Sequence, residues 1–101
     1  VMLVINGGAG TLKTVSVSVG HGTPQVVVLG TGGAAAALYE FMSHDGSLDT
    51  VAAEFHAHEA LLSRVHRLNL KMEGRLVKFA NLANDNTEEL RRIMLEAIIG
   101  V

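Results

Sequence analysis

Two short apolar runs, each ended by a glycine turn, constrain this chain more than anything else in it. Residues 1–5 read Val-Met-Leu-Val-Ile and close on Asn6-Gly7-Gly8-Ala9-Gly10-Thr11. Residues 25–29 read Gln-Val-Val-Val-Leu, follow Pro24 and close on Gly30-Thr31-Gly32-Gly33. Unbroken runs of this kind, rich in β-branched residues, are the pattern of strands buried on both faces of a parallel sheet. A weaker third run covers residues 75–80, with Leu76, Val77 and Phe79.

The intervening segments read as helices. Residues 33–42 are Ala-rich and carry Leu38, Phe41 and Met42. From residue 48 to about 70 the apolar positions 48, 51, 55, 62 and 65 keep close to a 3.6-residue period, which predicts one helix. Asn86 can cap a final helix, with Glu88 and Glu89 in its first turn and Leu90, Ile93, Met94, Ala97 and Ile98 as its stripe. Residues 14–19 fit two readings. Alternation of Thr, Val and Ser favours a strand, whereas Leu12, Val15 and Val19 share one helical face; the flanking glycines tip the balance to a helix.

The order is then β-α-β-α-α-β-α, an α/β fold with a three-layer, Rossmann-like parallel sheet. Three parallel strands leave two open edges and need cover on both faces. The sheet is therefore expected to continue through a missing half, another chain or a homo-oligomer, and the first residue, Val1, suggests a fragment of a larger domain.

With 101 residues, the chain makes one small domain. Its 49% hydrophobic and 18% charged residues demand packing rather than disorder. A net charge of −2 argues against nucleic acid as a partner, which would call for a basic excess. Cysteine is absent, so disulfides and thiolate metal sites are excluded. The run at 26–38 is too short for a bilayer and is broken by glycines, so no membrane insertion is expected; the location expected is cytoplasmic.

Chemistry is best sought at the glycine turns. Ligands of open α/β sheets bind at the carboxyl ends of strands. Glycine there allows close backbone approach, and the next helix offers unpaired N–H groups to an anion. Gly7, Gly8, Gly10 and Thr11 on the first turn, with Gly30, Thr31, Gly32 and Gly33 on the second, are the candidate phosphate-binding residues. No Gly-Lys-Ser/Thr follows either turn, so neither is a Walker loop, and neither is a full dinucleotide fingerprint. The five histidines suggest no metal site: His56 and His58 fall on different helix faces, and His58 lies along the apolar stripe as a buried or half-buried side chain. His66, Arg64 and Arg67 read as a solvated face, and His44-Asp45-Gly46-Ser47 as a turn. No nucleophile arrangement appears, so no catalytic residue and no cofactor is assigned.

The segments Val-Ile-Asn-Gly-Gly-Ala-Gly-Thr-Leu (4–12) and Gly-Thr-Pro-Gln-Val-Val-Val-Leu-Gly-Thr-Gly-Gly (22–33) resemble the second half of a SLOG-superfamily Rossmannoid domain. That superfamily includes Lonely Guy phosphoribohydrolases (once described as lysine decarboxylases), molybdenum-cofactor carriers and the N-terminal domain of TRPM channels. The Lonely Guy motif Pro-Gly-Gly-x-Gly-Thr-x-x-Glu is matched at Gly7, Gly8, Gly10 and Thr11, but Asn6 replaces its Pro and Thr14 its catalytic Glu. The TRPM-like pattern, Gly-Gly-x-x-Thr-Ile and later Gly-Ser-Gly-Arg-Ala-Ala-Asp, is followed further, with Gly33 at the Arg position and Ala36 at the Asp position. The resemblance implies that residues 1–101 are the C-terminal half of one nucleotide-binding domain. It implies a binding module for a phosphorylated nucleoside or ADP-ribose-like nucleotide, with base contacts from the other half. Two alternatives stand beside it: a nucleotide 5′-monophosphate phosphoribohydrolase, against which Thr14 counts, and a degenerate scaffold or oligomerisation domain.

Overall fold

The computed structural model describes residues 1–81 together with 91, 92 and 95. The elements are β1 (Met2–Val4), α1 (Ala9–Gly20), β2 (Gln25–Leu29), α2 (Gly33–Ser43), a 3₁₀ turn (Ala53–His58), α3 (Glu59–Lys71) and β3 (Val77–Asn81). The three strands form one parallel sheet in the order β1-β2-β3. Leu3 stands opposite Val26, and Val26 opposite Lys78. The chain is thus α/β with the Rossmann-like arrangement expected. The expected last helix falls outside the described residues except for Arg91, Arg92 and Leu95, which are helical.

One core holds the sheet to its helices. Val4, Val27 and Val77 share a sheet face and pack with Leu12, Val15 and Val19 of α1, Leu38 and Phe41 of α2, and Leu62 and Val65 of α3. Both crossovers lay their helices on this face, as two same-handed connections must when the sheet grows in one direction. Val26, Val28 and Ala80 point to the opposite face and are also buried.

Residues 14–19 are helical, and Val17 shows why. A strand would place Val15, Val17 and Val19 on one face. In α1, Val15 and Val19 are buried whereas Val17 is 52% exposed. The long helix expected over 48–70 is broken instead. Ala52 is extended (φ −55°, ψ 138°), the 3₁₀ turn follows, and α3 starts only at Glu59. The 3₁₀ turn sends Phe55 into the core at 3% exposure, while His56 Nε2 meets the Val51 carbonyl at 2.8 Å. His58 is half-buried, as expected. His66 is not a solvated residue: it is half-buried, edge-on to Phe41 with ring centroids 6.0 Å apart.

β1 departs from the expectation of burial on both faces. It is an edge strand, with Val4 buried and Leu3 40% exposed. Met2 N–H donates to the Pro24 carbonyl at 2.9 Å, so the even residues of β1 bond inward to β2. The backbone groups of Leu3 therefore face away from the sheet, beside the exposed side chains of Val1 and Ile5.

Candidate functional site

The two glycine turns lie side by side at the carboxyl ends of β1 and β2, and they are bonded to each other. After β1 the chain turns through two left-handed residues, Asn6 (φ 53°) and Gly7 (φ 91°), and Gly8 then caps α1. After β2 it turns through Gly30, Gly32 and Gly33, all at positive φ, into α2. Ala34 N–H donates to the Gly7 carbonyl at 2.7 Å and Ala35 N–H to the Asn6 carbonyl at 3.1 Å. Asn6 N–H donates to Thr31 Oγ1 at 2.9 Å, and that hydroxyl donates in turn to the Val28 carbonyl at 2.9 Å.

These bonds make the two helix ends unequal. A helix begins with N–H groups that have no partner within it. At α2 two of them are satisfied by the first turn. At α1 the N–H groups of Ala9, Gly10 and Thr11 meet no acceptor among the described residues, Gly8 offers no side-chain cap, and the first turn holds no acidic residue. The partial positive charge of α1 is thus left facing outward.

That end opens into a cavity of about 480 Å³. Asn6, Gly7, Gly8 and Ala9 line it from the first turn, Gly33 from the second, and Glu54 and Phe55 from the 3₁₀ turn. Of the residues expected from sequence, Gly7, Gly8 and Gly33 line the cavity. Gly10 and Thr11 form the adjoining first turn of α1, with the Thr11 side chain packed beneath Gly7, where a Cβ would collide with it. Gly30, Thr31 and Gly32 shape the second turn and are not among the lining residues. Asn6, Ala9, Phe55 and above all Glu54 are additions. Glu54 lies 21 residues beyond Gly33 in sequence (54 − 33) and carries no local signal for the site; only the crossover brings it there. Among the described residues it is the one charged member of the lining.

Residues 1–96 match the family model described as SLOG in TRPM, prokaryote. The chain belongs to the SLOG family. No curated protein and no solved structure gives a significant match. Membership carries a nucleotide-related role in general terms. The structure describes two of the positions at which this chain departs from those patterns. Gly33 stands where the TRPM-like pattern has Arg; its φ is 58°, and a Cβ there would run into Asn6 Oδ1 and the Gly7 carbonyl. The junction between the turns therefore leaves no room for any side chain at residue 33. Thr14 stands where the Lonely Guy pattern has Glu; it is exposed, and its hydroxyl donates to the Gly10 carbonyl of its own helix at 3.0 Å. Among the described residues, no group of three or more His, Cys, Asp or Glu converges to hold a metal ion, and no helix is long and apolar enough to cross a membrane.

Proposed function

We propose that this SLOG chain is a binding module for a phosphorylated nucleoside or an ADP-ribose-like nucleotide, whose phosphate rests on the first glycine turn and the amino end of α1. The observation that carries the reading is the set of three N–H groups, on Ala9, Gly10 and Thr11, that meet no acceptor among the described residues and lie beside a glycine-lined cavity. Backbone N–H groups at a helix start bind phosphate through directed hydrogen bonds and the helix dipole together. Family membership supports a nucleotide as the bearer of that phosphate. The second turn acts as a buttress: Thr31 and the α2 amides hold Asn6 and Gly7 in their left-handed conformations, and Gly33 completes the wall. Catalysis has less support than binding, since the hydroxyl of Thr14 is directed to its own helix. A purely scaffolding role is the competing reading, because the bonded pair of turns is complete without a ligand.

Calorimetric titration of the complete polypeptide with AMP and with ADP-ribose tests the proposal. Saturable binding below millimolar ligand is expected. Absence of heat at millimolar ligand would contradict it and favour the scaffold.

A further inference from the structure

We infer that Glu54 makes this site selective for a phosphate ester whose sugar bears free neighbouring hydroxyls, its carboxylate accepting their hydrogen bonds while α1 holds the phosphate. The inference rests on the phosphate reading above and adds to it the recognition of the group next to the phosphate. Glu54 lines the same cavity as Gly7, Gly8 and Gly33. Its carboxylate forms no hydrogen bond or ion pair with another described residue; the ion pair present among those residues joins His44 and Glu40.

The backbone beneath Glu54 is fixed on both sides. Phe55 is anchored in the core, with its N–H on the Ala52 carbonyl at 2.9 Å, and His56 holds the Val51 carbonyl. A carboxylate held beside an anion site repels any second anionic group brought against it. What it accepts are neutral donors, and two hydroxyls on adjacent carbons match its two oxygens. Among the described residues, no Lys or Arg lines the cavity to compensate a second phosphate there. A single phosphate next to a polyol, as in a ribose phosphate, therefore fits the charge pattern, whereas inorganic phosphate uses only half of it. The volume of about 480 Å³ falls inside the roughly 300–1,000 Å³ typical of small-ligand sites.

The test compares AMP, 2′,3′-dideoxy-AMP and inorganic phosphate by calorimetry on the complete polypeptide, in the native protein and in Glu54→Ala and Glu54→Gln. The native protein is expected to prefer AMP over its dideoxy analogue about tenfold (about 1.4 kcal/mol). Either variant should shrink that preference to less than about threefold and leave inorganic phosphate bound as well as before or better. Glu54 is exposed, so thermal melts of the variants should match the native protein. Equal binding of AMP and dideoxy-AMP by the native protein overturns the inference, as does an undiminished preference in both variants. Inorganic phosphate separates the two levels. Phosphate and both nucleotides bound alike would remove the role of Glu54 and keep the phosphate site; none of the three bound would remove both.

Discussion

Gly33→Ala puts a methyl group at the point where the two turns touch. The residue sits at φ 58°, and the added carbon would meet Asn6 Oδ1, the Gly7 carbonyl oxygen and the Asn6 carbonyl carbon. Two of these three atoms are backbone and cannot rotate away. The left-handed conformation alone costs an L-residue about 1–2 kcal/mol. Parting the turns also weakens the hydrogen bonds from Ala34 to Gly7 and from Ala35 to Asn6, each contributing about 0.5–1.5 kcal/mol. The combined destabilisation is about 3 kcal/mol. Gly22→Ala is the internal control: φ is 79°, nothing lies within 4 Å of its added carbon, and the cost should stay near 1 kcal/mol. Urea denaturation of both variants reads the difference directly. With a slope of about 1–2 kcal/mol per molar, Gly33→Ala should lower the midpoint by about 2 M and Gly22→Ala by about 0.5–1 M. Two variants within about 0.5 kcal/mol of each other would mean that contact between the turns does not govern residue 33.

Three further outcomes follow from the same structure. Gly8→Asp supplies α1 with a side-chain cap and a negative charge, so it should raise stability by about 0.5–1 kcal/mol in thermal melts and abolish nucleotide binding in calorimetry. Thr31→Val removes the acceptor for Asn6 N–H and the donor to the Val28 carbonyl, which should cost about 1–3 kcal/mol and weaken AMP binding by loosening the first turn. Asn69→Ala strips the buried Oδ1 that accepts from Leu76 and Val77 N–H at 3.1 and 2.9 Å; it should cost about 2–4 kcal/mol in urea denaturation, while whatever remains folded binds AMP normally.

The parts of this structure that were legible in the sequence are those governed by neighbouring residues. Gly7, Gly8, Gly30 and Gly32 announce sharp turns after β-branched runs, and the parallel α/β order follows from the alternation of strands with helical segments. Residues 14–19 were balanced between two periods, and only the packing of Val15 and Val19, with Val17 outside, separates them. The break in the helix expected over 48–70 was hidden because Val51 and Phe55 keep a helical spacing across an extended Ala52. The site was half legible. Glycines mark where backbone can approach a phosphate, but sequence treats the two turns as equals. Their inequality comes from hydrogen bonds between residues 6–7 and 34–35, which no local pattern contains. Nothing local sets Glu54 apart, since its place in the cavity depends on how the whole crossover folds back.

The backbone amides of Ala9, Gly10 and Thr11 report most directly on the central claim. In a ¹H–¹⁵N spectrum of the complete polypeptide titrated with AMP, these three signals should move furthest and together, with Gly33 following, while those of Ala34 and Ala35, already bonded to the first turn, should move little. Shifts centred on Ala34 and Ala35, or three unmoved α1 amides at saturating nucleotide, would contradict the account.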